Sequence, residues 1–168
     1  KTQHAAKVAN LSNAIQKSPG DDTAYMARGN VHRDNNSLDD AIVDYNKAIE
    51  LNPKSAFAYF NRGIAYSSKK EYDAAMSDFD IAISLNLNFP DAYCQRGLVH
   101  FAKTDFDAAI AEYTKAIVLS PKFGDAYLKR GLAYIEKRNY NAAVGDLTKY
   151  IKYDPAFPDT YRQRASVY

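Results

Sequence analysis

A chain of 168 residues that is 46% hydrophobic has enough apolar side chains to form a core and is not a disordered tail. Its 22 Lys and Arg against 20 Asp and Glu leave a net charge of +2, too small a field to select nucleic acid or an acidic membrane. The single cysteine excludes an internal disulfide framework and a cysteine-rich zinc site, and no apolar run reaches the roughly 18 residues that would cross a bilayer.

Residues 1–21 carry Ala14, Ile15 and Pro19, one step of 34 before Ala48, Ile49 and Pro53, and so read as the second half of a repeat. The first full unit, 22–55, places Tyr25, Gly29 and His32 at i, i+4, i+7, and Ala41, Tyr45 and Ala48 at the same spacing further on. Both are helical faces, and the small residues Gly29 and Ala41 let two antiparallel helices approach, so the unit is predicted to be a helical hairpin. The pattern repeats in 56–89, 90–123 and 124–157: Gly63, Gly97 and Gly131, Tyr59, Tyr93 and Tyr127, and Ala75, Ala109 and Ala143 keep the step of 34. Residues 158–168 open a fifth unit with Tyr161. Asp91, Asp125 and Asp159 are expected at helix starts, where a carboxylate caps the orphan amides, with Pro90 and Pro158 before two of them as helix-initiating residues. Two departures predict local differences. Leu87 stands where other units have proline, so that helix is expected to run on toward Pro90; Tyr150 replaces the alanine of Ala48, Ala82 and Ala116, which is expected to splay the fourth hairpin. Because the pattern starts and stops inside a repeat, the sequence is expected to be a piece of a longer chain.

Arg28, Arg62, Arg96 and Arg130 keep the same period, as does Arg164, and Asp44, Asp78, Glu112 and Asp146 follow the first four at an interval of 16. An arginine between core positions needs a partner, since an unpaired buried charge costs several kcal/mol, so hydrogen-bonded ion pairs are predicted. The competing reading is a ladder of guanidinium groups for phosphates or carboxylates of a partner.

No constellation for catalysis emerges. His32 and His100 occupy the position of Tyr66 and Tyr134 and read as buried rings with a polar tip, and His4 has no companion for a metal. Cys94 has the apolar counterparts Met26, Phe60 and Leu128 and reads as a small hydrophobe rather than a reactive thiol. Asp39, Asp40, Asp73 and Asp107 fall at starts of second helices, where capping accounts for them. The glycines are too far apart for a phosphate loop, so neither an enzyme nor a cofactor or metal is expected.

The recurring aromatic, Gly, aromatic, Ala, aromatic and Pro positions resemble the tetratricopeptide repeat family, with Arg-Gly where the usual pattern has Leu-Gly. The resemblance covers essentially the whole chain as one domain. It implies an all-α, right-handed superhelix of antiparallel helix pairs that serves as a protein-interaction scaffold, with a peptide or helical segment held in a concave groove lined by the first helix of each unit. On that face fall Met26, Asn30 and Arg33, then Phe60, Asn61, Ile64 and Ser67. Cys94, Leu98 and Phe101 follow in the third unit and Leu128, Leu132 and Ile135 in the fourth, so an apolar trough is expected. Relatives that clamp the C-terminal carboxylate of heat-shock chaperones use two asparagines, matched by Asn30 and Asn61, and three basic residues; Met26, Asp91 and Gln95 stand in the basic positions and break that clamp. The alternative is a module that self-associates end to end through its unfinished terminal repeats. Composition leaves cytoplasm and periplasm both open.

Overall fold

The computed structural model describes residues 2–153; Pro155, Pro158, Asp159, Tyr161 and Arg164 lie outside the described residues. Among those described there are nine helices and no strand: α1 Thr2–Lys17, α2 Asp22–Asp34, α3 Leu38–Leu51, α4 Ala56–Ser68, α5 Tyr72–Leu85, α6 Pro90–Ala102, α7 Phe106–Leu119, α8 Gly124–Glu136 and α9 Tyr140–Tyr153. From α2 onward they pair as hairpins, α2 with α3, α4 with α5, α6 with α7 and α8 with α9. They fall into two units, residues 1–87 with α1 to α5 and residues 88–168 with α6 to α9.

Each hairpin turns in the same way. The first helix ends on a residue in the left-handed region: Asn36 at φ 61, Lys70 at 63, Thr104 at 61 and Arg138 at 58. The next amide reaches back to the carbonyl five residues earlier, Ser37 to His32, Glu71 to Tyr66, Asp105 to His100 and Asn139 to Tyr134, each at 2.9 Å. This is a Schellman closure, and the residue that completes it also begins the next helix, so no loop intervenes. Asp105 then caps α7 by accepting from the Ala108 amide at 3.1 Å, and Asn139 does the same for the Ala142 amide at 3.3 Å.

Within the hairpin the glycine column is required by close approach. A Cβ on Gly29 would lie 2.7 Å from the Tyr45 ring, on Gly63 2.8 Å from Phe79 and on Gly97 2.7 Å from Tyr113. The facing alanines Ala41, Ala75, Ala109 and Ala143 are fully buried. Small residues on both helices therefore let the backbones meet while one large ring fills the space beside them.

Three expectations need correction. The helix before Leu87 does not run on: α5 stops at Leu85, and Asn86 leaves it with extended backbone, φ −143 and ψ 96, so that Phe89 is buried and Pro90 opens α6. The fourth hairpin is not splayed, because the bulk of Tyr150 is accommodated by Gly124 on the facing helix, where an added Cβ would sit 3.4 Å from the Tyr150 ring. Asp91 and Asp125 are not side-chain caps; they lie in the first turns of α6 and α8, whose cap residues are Phe89 and Phe123, and act there on the helix dipole.

Candidate interaction surfaces

The recurrent arginines sit on the first helix of each hairpin with their guanidinium groups against the second. Arg28 Nε and Nη2 donate to Asp44 at 2.9 and 2.6 Å, Arg62 to Asp78 at 2.8 and 2.7 Å, and Arg130 to Asp146 at 2.7 and 2.8 Å. The longer Glu112 presents a single oxygen to both nitrogens of Arg96, at 3.1 and 2.8 Å. All four carboxylates are buried, and donating hydrogen bonds to the aspartates holds Arg28, Arg62 and Arg130 more firmly protonated than an ordinary arginine. Tyr25, Tyr59, Tyr93 and Tyr127, one turn earlier, lie under the guanidinium carbons at 5.8, 5.6, 5.5 and 5.7 Å.

Sequence reasoning missed a second partner. The remaining Nη1 donates to the second helix of the preceding repeat: Arg28 to Ser12 at 2.9 Å, Arg62 to Asn46 at 2.6 Å and Arg130 to Thr114 at 2.9 Å. Ser12, Asn46 and Thr114 stand sixteen residues before their arginines and themselves keep the step of 34, which is the signal that would have found them. These guanidinium groups thus strap three helices together, with Nε, Nη1 and Nη2 each donating one hydrogen bond inside the chain.

The face of the first helices differs between the two units. In residues 1–87 it is α2 beside α4 and is laced with hydrogen bonds. Asn30 accepts from the Tyr45 hydroxyl at 2.8 Å, Arg33 donates to Asn61 at 2.8 Å, and the Ser55 hydroxyl lies 3.6 Å from the Met26 sulfur. Phe60 packs on Phe79 with ring centres 6.1 Å apart, and Ile64 is half-buried; Phe57, which the sequence did not single out, is exposed on α4.

In residues 88–168 the face is α6 beside α8 and is mostly apolar. Leu98 is 36% exposed, and Leu128, Leu132 and Ile135 are half-buried. Phe101 meets Phe106 edge to face at 5.3 Å. Cys94 does not line this face. It is 2% exposed and packed with Tyr113, Ala109 and Ala126, whereas the longer Met26, Phe60 and Leu128 at the same position are half-buried. Burial pushes its thiol up to about 12, the opposite of an activated nucleophile.

The histidines are half-buried: His32 Nε2 lies 3.9 Å from Asp44 and the His32 ring meets that of His4 edge-on, while His100 Nδ1 lies 3.7 Å from Asp105. Among the described residues no group of three or more His, Cys, Asp and Glu is placed to hold a metal, and no helix is long and apolar enough to cross a membrane.

Profiles of the tetratricopeptide repeat match along most of the chain: a TPR repeat profile over residues 29–70 and 100–137, and tetratricopeptide repeat profiles over 56–89 and 124–157. No curated protein matches the sequence. Among solved structures, a crystal structure of MamA is 30% identical over 92% of this chain and 85% of that one, with a TM-score of 0.78. TTC0263, a thermophilic TPR protein in Thermus thermophilus, is 18% identical over 99% of this chain and 91% of its own, with a TM-score of 0.80. The first TPR of Spaghetti (RPAP3), bound to an HSP90 peptide, is 19% identical over 67% of this chain and 89% of that one, at a TM-score of 0.65. The last two likenesses speak for the fold alone. Hairpins of 34 residues, closed on a glycine column and matched by these profiles, are an all-α solenoid, and the chain belongs to the tetratricopeptide repeat family.

Proposed function

We propose that the chain is a scaffold whose first-helix faces, α2 with α4 and α6 with α8, each hold an extended peptide or helical segment of another protein. The observation that carries this reading is apolar surface the hairpin core does not use. A buried cluster in the second unit is formed by Cys94, Ala109, Tyr113, Ala116, Ala126 and Ala133, while Leu98 stays outside it with 36% of its surface in water. Burying such a side chain fully contributes about 1.5–3 kcal/mol before ordering costs. The RPAP3 domain, whose structure holds an HSP90 peptide, supports peptide binding as a use of this fold, although Met26, Asp91 and Gln95 do not supply that kind of clamp here. Selection of a random peptide library on the parent chain and on an Ile64→Ser, Leu98→Ser variant tests the reading. Peptides recovered on the parent should lose about tenfold or more in affinity on the variant, with little change in its melting temperature. A variant that unfolds well below the parent would place these side chains in the core and sink the proposal.

Self-association is a second reading, favoured by α1. Leu11 and Ala14 occupy the positions of Tyr45 and Ala48, which are fully buried in their hairpin, yet Leu11 is half-buried and Ala14 exposed, because α1 has no first helix beside it among the described residues. Sedimentation over a range of concentrations tests it: a single monomeric species throughout ends this reading.

A further inference from the structure

The α6–α8 face carries charge as well as apolar surface, and the two are segregated. Asp91 is exposed in the first turn of α6 and Asp125 in the first turn of α8; Lys129, one turn further along α8, is hydrogen-bonded to Asp125. Asp91 and Leu98 stand seven residues apart on α6, as do Asp125 and Leu132 on α8, so on each helix the carboxylate lies on the same stripe as the leucine, two turns nearer the N-terminus. Two carboxylates against one ammonium leave that end negative, and no cation among the described residues pairs with Asp91. Further along the same two helices the face is apolar, with Leu98 on α6 and Leu132 and Ile135 on α8. The α2–α4 face of the other unit lacks this character: there Thr23 and Phe57 stand in the places of Asp91 and Asp125, and Arg33 in that of Phe101.

We propose that the α6–α8 face docks a basic amphipathic helix, its leucine-type side chains on Leu98, Leu132 and Ile135 and a lysine or arginine at Asp91 and Asp125. This rests on the reading that first-helix faces bind segments of partners, and it names the partner's chemistry. The apolar stripe supplies affinity to any amphipathic helix. The carboxylates decide the sign of the charge beside it, through attraction of a basic residue and repulsion of an acidic one. Leu98 and Leu132 lie on the first helices of adjacent, touching hairpins, and a partner helix meets both with a single i, i+3, i+4, i+7 stripe.

The test uses the full chain and two synthetic helices of about 18 residues with the same leucine stripe, one flanked by lysine and the other by glutamate, followed by fluorescence anisotropy. The lysine peptide is expected to bind about tenfold more tightly at low salt, the preference shrinking at about 0.5 M salt as screening shortens the reach of the charges. Asp91→Asn leaves the Asp125 carboxylate against the Lys129 ammonium and should bring the two affinities together, and adding Asp125→Asn should turn the preference toward the glutamate peptide. Equal or tighter binding of the glutamate peptide, or a preference unmoved by either asparagine variant, overturns the proposal and leaves peptide binding as such intact. Failure of both peptides to bind, or binding indifferent to Leu98→Ser with Leu132→Ser, overturns the broader reading too. A dimer of the chain that the same leucine variants dissolve would assign the face to a second copy and overturn the basic helix.

Discussion

The Tyr113 hydroxyl is buried without a hydrogen-bond partner among the described residues, whereas the Tyr45 hydroxyl at the same place in its hairpin donates to Asn30 at 2.8 Å. The difference traces to one substitution, since Leu98 stands where the first full repeat has Asn30. A buried hydroxyl left unpaired costs about 1–3 kcal/mol, while a made hydrogen bond contributes about 0.5–1.5 kcal/mol net. The ring itself needs no hydroxyl, because Phe79 fills the same column fully buried. Tyr113→Phe should therefore stabilise the chain by about 1 kcal/mol, and Tyr45→Phe should destabilise it by a similar amount. For a chain of this size that is a difference of about 2–4 °C in Tm in each direction. Urea midpoints at unchanged slope check it. Leu98→Asn offers the missing acceptor and should help more in the parent than in the Tyr113→Phe chain, a coupling that a double-mutant cycle reads directly. If Tyr113→Phe is as damaging as Tyr45→Phe, the hydroxyl is satisfied, by a bound water for example, and the reasoning fails.

Arg62→Ala leaves the Asp78 carboxylate buried and uncompensated and should cost about 3–5 kcal/mol, measured by denaturant unfolding; a loss under about 1 kcal/mol would mean that water reaches Asp78. Gly145→Ala, a helical position with open space around it, should gain about 0.5–1 kcal/mol, whereas Gly63→Ala drives a methyl to 2.8 Å from the Phe79 ring and should lose about 1–3 kcal/mol; thermal melts of the two should move in opposite directions. Burial pushes Cys94 from an ordinary 9.0 up to about 12 and Tyr45 from 10.0 up to about 12. Both ionise more readily in the unfolded chain, so their contribution is intact below about pH 9 and is lost as pH rises toward about 12. Cys94→Ala should flatten the first part of that decline in Tm against pH, and an unchanged curve would show that the thiol ionises freely in the folded state.

The hairpins are legible in the sequence because a period of 34 exposes every core column at once: the glycine, alanine and aromatic positions that repeat are the ones where two helices touch. What stays hidden involves pairs of columns. Tyr150 looks disruptive in its own column and becomes ordinary only when Gly124 is seen to face it. Leu87 suggests a longer helix until Asn86 and Phe89 show where the chain must turn in. Ser12, Asn46 and Thr114 read as scattered polar residues until the second helix of one repeat lies beside the first helix of the next. The column of Cys94 points outward with Met26, Phe60 and Leu128, but a column fixes direction and says nothing of reach.

The guanidinium straps have a consequence for how such a chain can be rearranged. Ser12, Asn46 and Thr114 differ in size and chemistry but present the same thing to the arginine above them, one oxygen at 2.6–2.9 Å. Through the strap a repeat asks little of the one before it, a short side chain with an acceptor at a fixed place, while the packing of Ala126 and Ala133 on Tyr113 and Ala116 adds an apolar demand at the same junction. The strict demands, the carboxylate and the glycine, are met inside the repeat itself. Hairpins coupled this way could be duplicated, deleted or exchanged with the strap intact, provided the register of 34 residues and the apolar residues that meet across the junction are kept.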